Sequence, residues 1–239
     1  MLIRVLTDSG KGNFGDLITG IYYAANHGAN VINMSLGAYI PHHLQVIVDG
    51  KHVNYTKEYQ ELLVAMNRST SYAHKKGTVV VASAGNDHVD LGHIADYDHY
   101  PSGCVNVLCV AATSPKGWTP DTTVDLDKPT TYTNYGTSAI NFAAPGGDYY
   151  PDIENIYDLV LSPGSIDPDG TEYWWFAAGT SMASPHVAGV AALIAGRHPE
   201  YSPAQIEAAL RASSNDLGKP GRDDFFGRGR VNASKAVDQ

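Results

Sequence analysis

Apolar runs rich in Val and Ile alternate along the chain with stretches in which apolar residues recur every three or four positions. Successive strand side chains point to opposite faces, so Val79-Val80-Val81, which has no polar alternation, predicts a strand buried on both faces. Such strands belong to parallel sheets covered by helices on each side. Strands are expected near Leu2–Leu6, Val31–Leu36, Thr78–Ala84, Val105–Ala111 and Ile140–Ala143. Between them, Ile18, Ile21, Tyr22 and Ala25 share one face of a helix, and Leu62, Leu63 and Met66 share a face of the next. The second stops at Lys75-Lys76-Gly77, a cationic last turn followed by a glycine. A third helix begins at or near Ser181. A fourth opens with Ser202 as cap, Pro203 in the first turn and Gln205 placed to complete a capping box. The pattern is α/β.

Two segments break the alternation. Gln45–Tyr55 reads as a hairpin around Asp49-Gly50, a pair that accepts the backbone twist of a two-residue turn. Tyr157–Phe176 reads as a second, with bends at Pro163-Gly164 and Pro168-Asp169-Gly170. No internal repeat, low-complexity tract or domain linker stands out, so residues 1–239 are taken as one unit.

Composition narrows the partners. With 16 Lys+Arg against 25 Asp+Glu the net charge is −9, which removes the cationic footprint that nucleic-acid binding uses. The longest apolar helical run, Val187–Ala195, falls short of a membrane span. Met1-Leu2-Ile3-Arg4-Val5-Leu6 lacks the features of a signal peptide and looks like a strand entered midway. Cys104 and Cys109 lie an odd number of positions apart, on opposite faces of an extended segment, which argues against a bridge between them.

Chemistry concentrates in Gly179-Thr180-Ser181-Met182-Ala183-Ser184-Pro185-His186-Val187-Ala188-Gly189. A serine at a helix start, after glycine, sits where unpaired backbone N–H groups and the positive helix end converge. Val79-Val80-Val81-Ala82-Ser83-Ala84-Gly85-Asn86 ends a strand in a neutral carboxamide donor, and Val31-Ile32-Asn33-Met34-Ser35-Leu36-Gly37 ends one in a glycine that lets another backbone approach. Taken singly, these read as a helix cap, a turn asparagine and a core strand. Taken together and in this order they resemble the subtilisin-like serine proteases, the subtilases, and the resemblance extends through Asn134-Tyr135-Gly136, Ala144-Pro145-Gly146 and Phe226–Asn232.

The resemblance implies a subtilisin-like fold, with Ser181 as nucleophile, Asn86 as oxyanion donor, and Ser35, Leu36, Gly37, Ala84, Gly85 and Thr180 along the substrate. It implies a polypeptide substrate and a secreted enzyme. Subtilases carry their triad in the order aspartate, histidine, serine, and the strand and helix bearing the first two have no counterpart in these residues. The chain therefore reads as the C-terminal part of a catalytic domain, nearly inactive alone, whose partner would be the missing N-terminal segment. A degenerate protease kept as a peptide-binding module is the alternative. An esterase built on a nucleophile elbow would need an acid and then a histidine after the serine, and no acid lies between Ser181 and His198.

Asp8-Ser9-Gly10 imitates the family's aspartate motif but follows its strand, and is taken as a turn. His186 lies about 140° around the helix from Ser181 and is taken as a packed structural residue. His27 closes a helix. The loop holding Asp87, His88, Asp90, His93, Asp96, Asp98 and His99 is taken as solvated, because its spacing matches no metal motif. No cofactor is assigned. Many subtilases bind calcium, but the resemblance places no calcium site in these residues. The Gln45–Tyr55 hairpin is expected to rim the substrate cleft.

Overall fold

The structure, a computed structural model, describes residues 1–118, 121–149, 156–167 and 169–238. In chain order its elements are α1 (Phe14–Asn26), β1 (Val31–Met34), β2 (Ala38–Pro41), β3 (Gln45–Val48), β4 (Lys51–Asn54), α2 (Thr56–Lys75), β5 (Val79–Ser83) and β6 (Tyr97–Tyr100). There follow β7 (Val107–Ser114), β8 (Lys128–Pro129), β9 (Phe142–Pro145), β10 (Val160–Ile166), β11 (Glu172–Ala177), α3 (Thr180–Arg197), α4 (Pro203–Ser213) and α5 (Ala233–Val237).

The central sheet runs β1-β5-β7, with β9 parallel to β7 and short β8 antiparallel to it. Val31 pairs with Val79, Val80 with Val107 and Val110 with Phe142. Every residue of β5 and β7 is buried, as an unbroken apolar run requires. The period of two sorts their side chains between two cores. Val79, Val81, Leu108, Val110 and Phe142 pack on α3 and α4, while Val80, Ala82 and Val107 pack on α1 and α2. Ala183, Ala188 and Ala191 let α3 lie close on the sheet, and this sets where its N-terminus falls.

Most expected elements form. Ser202 and Gln205 make a reciprocal capping box at the start of α4. The β3–β4 hairpin turns on Asp49 (φ 50°) and Gly50 (φ 74°), both in the left-handed region that a two-residue turn demands. The second hairpin differs in detail. At its bend Gly170 N donates to Asp167 O at 2.8 Å, whereas Pro163-Gly164 lies inside β10 beside a register irregularity. Pro168 is outside the described residues.

Leu2–Leu6 does not form the expected strand. A strand is stabilised by a neighbour, and here the segment makes one bridge, Leu6 with Gly12, and leaves Leu2 98% exposed. Between Met1–Val5 and the unpaired edge of β1 lies a cavity of about 850 Å³, walled also by Ala192, Ala195 and Gly196 of α3. Cys104 and Cys109 are buried free thiols, each pushed up to about 12 by burial.

Phe142 is fully buried where β9 meets α3 and α4. Phe142→Ala should cost ~3–5 kcal/mol in urea denaturation, and Ser202→Ala ~1 kcal/mol through loss of the cap. An unchanged midpoint for Phe142→Ala would refute this account of the core.

Candidate active site

The sheet brings the C-terminal ends of β1 and β5 together, and α3 starts above them. Ser35 follows β1, Ala84-Gly85-Asn86 follow β5, and Gly179 caps α3. Open α/β sheets place ligands at such strand ends.

Thr180, only 1% exposed, ties the helix to the sheet. Its backbone N–H and its hydroxyl each donate to Asn86 Oδ1 at 2.9 Å, and its Oγ1 accepts from Gly85 N at 3.1 Å. A backbone N–H can only donate, so the Asn86 oxygen must face Thr180 and the Nδ2 amine must face the other way. There it borders Gly179. A Cβ at position 179 would lie 3.5 Å from Asn86 Nδ2, 3.6 Å from Ser181 N and 3.7 Å from Met182 Sδ, so both nitrogens border the small space that a glycine at φ 154° leaves unfilled. As the second N–H of the helix, Ser181 N has no intrahelical partner. Two N–H donors at a positive helix end are suited to a negative oxygen.

The Ser181 side chain turns toward the end of β1. Its Oγ donates to Ser35 O at 3.4 Å, and Ser35 Oγ donates back to Ser181 O at 2.8 Å. Asn33 braces the pair from beneath, donating to Ser35 Oγ at 3.0 Å and accepting from Ser184 Oγ at 2.6 Å. Among the described residues no imidazole or carboxylate is hydrogen-bonded to Ser181 Oγ.

The segment expected to be solvated is not so at His99, which is buried and closes the space between the two strand ends. The His99 ring faces both expected wall glycines: a Cβ on Gly37 would meet His99 Cε1 at 2.7 Å, and one on Gly85 would meet His99 Nε2 at 3.1 Å. His99 is buried, with Nδ1 2.6 Å from Ser102 Oγ, and burial pushes it down to about 4, so the ring is neutral near pH 7. Pairing of β2 with β6 sets Tyr39 opposite His99. Tyr39 donates to Asp87 Oδ2 at 2.9 Å, and burial first, then Asp87, raise its hydroxyl to about 12. Asn134, fully buried, holds the wall: it donates to Ala84 O at 2.8 Å and Tyr39 Oη at 2.7 Å and accepts from Asp87 N and Val89 N. Gly85, at φ 100°, has no room for a side chain, since a Cβ would meet Asn134 Nδ2 at 2.4 Å. The only sequence signal for His99 was its place in a His/Asp-rich loop, and its role depends on a strand pairing across some sixty residues.

The false leads separate cleanly. Asp8 is an exposed turn residue paired with Arg4 at 2.8 Å. His27 Nδ1 lies 2.8 Å from Tyr23 O at the end of α1. His186 is exposed rather than packed, with Nδ1 2.8 Å from Met182 O, one turn back along its own helix. In the acidic loop, His93 pairs with Asp90, Asp98 with His42 and Asp87 with Tyr39, and among the described residues no three potential metal ligands converge.

The profile of the subtilase family matches residues 1–229. The chain belongs to the subtilase family. Thermitase of Thermoactinomyces vulgaris is 32% identical over 99% of this chain and 64% of its own length, and subtilisin DY of Bacillus licheniformis is 30% identical over 98% and 66%. Among solved structures, a lanthipeptide protease matches with a TM-score of 0.77 at 29% identity, over 99% of this chain and 68% of that one. The epidermin leader peptide processing protease EpiP of Staphylococcus aureus matches with a TM-score of 0.75 at 25% identity, over 98% and 56%. This subtilase chain thus spans about two thirds or less of the relatives named. Among its described residues no helix is long and apolar enough to cross a membrane.

Two outcomes follow from the geometry. Because folding lowers the His99 pKa from 6.5 to about 4, the unfolded chain takes up a proton first as pH falls. Stability should therefore decline between about pH 6.5 and 4, by up to ~3 kcal/mol, and His99→Gln should flatten that part of the urea-denaturation profile. Thr180→Val leaves Gly85 N–H and the Asn86 carboxamide short of a partner. It should cost ~1–3 kcal/mol, which for a chain of this size lowers Tm by roughly 2–12 °C.

Proposed function

We propose that this chain carries the nucleophile, the oxyanion site and the specificity pocket of a secreted serine endopeptidase. One observation supports the reading: Thr180 holds the Asn86 oxygen, which turns Asn86 Nδ2 toward the vacant side-chain position of Gly179, and Ser181 N borders that same position.

In the reaction, Ser181 Oγ attacks the carbonyl carbon of a bound peptide, and the carbonyl oxygen takes the negative charge. Ser181 N–H and Asn86 Nδ2 stabilise that charge without reorganising, because Thr180 already holds the carboxamide. The proton drawn from Ser181 passes to the leaving nitrogen, so collapse breaks the C–N bond and expels a neutral amine, and water then hydrolyses the acyl ester to the acid and regenerates the hydroxyl. The side chain next to the scissile bond enters between Leu36-Gly37 and Ala84-Gly85, and the His99 ring limits its depth. A polypeptide substrate agrees with the relatives' names, one of which processes a leader peptide.

A proton acceptor for Ser181 must come from outside the described residues, and by the family pattern it is a histidine oriented by an aspartate on an N-terminal segment. Without it the hydroxyl is a poor nucleophile, since general-base help is worth ~10²–10⁴ in rate. A peptide-binding module without turnover is the second reading, favoured by the hydrogen bond that spends Ser181 Oγ on the Ser35 carbonyl.

The test mixes the chain with a polypeptide carrying that segment and follows fluorophosphonate labelling and casein cleavage. Labelling should require both components and vanish in Ser181→Ala, and Asn86→Ala should lower kcat by ~10²–10³. Labelling that persists in Ser181→Ala would overturn the site assignment, and binding without turnover in the mixture would establish the second reading.

A further inference from the structure

Hairpin β10–β11 stands apart from the sheet and carries more exposed aromatic surface than any other described element. Every residue of Glu172–Phe176 is exposed, with Trp174 at 63% and Trp175 at 60%. Directly opposed residues of an antiparallel pair share a face. Leu161 opposes Phe176 and Pro163 opposes Trp174, making one apolar face; Trp175, opposite Ser162, lies on the other and packs over Gly164. Exposed apolar patches of this kind mark interaction sites.

The charge around the hairpin identifies what it takes. From residue 129 to 196 the sequence contains no Lys or Arg and seven Asp or Glu. Three of these, Asp167, Asp169 and Glu172, are exposed around the bend. Asp167 Oδ2 accepts from Tyr173 Oη at 2.9 Å and Asp169 Oδ1 from Thr171 N at 2.9 Å, bonds that fix the bend without neutralising it. Indole faces attract cations within about 6 Å, best of all side chains, and carboxylates bond guanidinium groups in pairs. Anionic lipid is repelled by the same charges.

The position is also specific. β11 ends at Ala177, Ala178 N donates to Tyr149 Oη at 3.3 Å, and Ser181 follows at once in α3. Trp175 is six residues from Ser181, at most about 20 Å of chain, which an extended peptide spans in roughly six residues.

We propose that this hairpin docks an arginine- or lysine-rich segment of the polypeptide substrate, several residues away from the bond that Ser181 attacks. The inference rests on the protease reading only for the identity of the ligand as substrate; the binding itself does not. Basic side chains lie over Trp174 and Trp175 and pair with Asp167, Asp169 and Glu172, anchoring a substrate whose cleavage position is then read by the pocket at His99.

The test uses the Ser181→Ala chain and calorimetry, so reactivity plays no part. The probe is an acetylated, amidated (Arg-Gly)4 peptide, with (Glu-Gly)4 as control. Saturable one-to-one binding of the arginine peptide is expected, weakened by 0.5 M salt. Trp174→Leu/Trp175→Leu, which keeps the surface apolar but removes the indole faces, should weaken it about tenfold or more. Asp167→Asn/Asp169→Asn/Glu172→Gln should weaken it several-fold and reduce its salt dependence. All the altered side chains are exposed, and unchanged melting curves confirm folding. Equal binding of the two peptides, no saturable binding at millimolar concentration, or affinity indifferent to both variants overturns the proposal. Phosphatidylcholine vesicles bound in preference to the peptide would identify a membrane surface and overturn it as well. Arginine-peptide binding with an unreactive Ser181 in the complemented enzyme would sink the protease reading while leaving the docking surface intact.

Discussion

The attachment of the Asn86 carboxamide oxygen to Thr180 is the contact on which the site depends. Two donors on one residue, a backbone N–H and a hydroxyl, converge on one oxygen at 2.9 Å each, and that residue is the first of α3. Each bond contributes about 1 kcal/mol net, a small share of the stability of a domain. Their importance is directional. They decide which end of the amide faces the serine, and they do so by linking a strand end to a helix start, so the angle between sheet and helix is what aims the donor.

That angle is set by packing far from any reactive atom. Ala183, Ala188 and Ala191 bring α3 down onto Val79, Val81, Val110 and Phe142, and larger side chains at those positions would lift the helix and with it Thr180 and Ser181. The walls below obey the same economy. Gly37 and Gly85 leave room for the His99 ring, and Asn134 uses its four hydrogen bonds to hold Ala84, Tyr39, Asp87 and Val89 in one arrangement. A half-satisfied amide in that place would loosen the pocket more than an apolar residue would.

How much of this was legible depends on the range of the interaction that carries it. The β5 strand, the capping box at Ser202 and the Asp49-Gly50 turn are decided by neighbours a few residues away, and the sequence pattern shows them directly. Leu2–Leu6 has the composition of a strand, yet a strand is a property of two segments, and among the described residues this one makes a single bridge, Leu6 with Gly12. His186, expected to be packed, is exposed, because periodicity gives direction and not what covers a face. Ser181, Asn86, Ser35 and Gly85 were singled out by motif, and the structure brings them together at two strand ends and a helix start. His99 is buried rather than solvated with the rest of its acidic segment, and its contact with Tyr39 and Asn134 joins positions far apart in the chain, which no local spacing shows.

The functions divided among these residues differ in how they fail. Under the proposed reading, the oxyanion donors and pocket walls are held by contacts among the described residues, so they do not depend on a proton acceptor. The reactivity of Ser181 Oγ is different, since its partner here is a backbone carbonyl 3.4 Å away, which orients the hydroxyl and accepts its hydrogen bond but cannot take its proton at neutral pH. In that reading a base would displace one long, weak hydrogen bond among the described residues to reach the Ser181 hydroxyl. Under the proposed reading, recognition is thus built before reactivity, since the contacts that shape Gly37 and Gly85 do not involve the hydroxyl of Ser181.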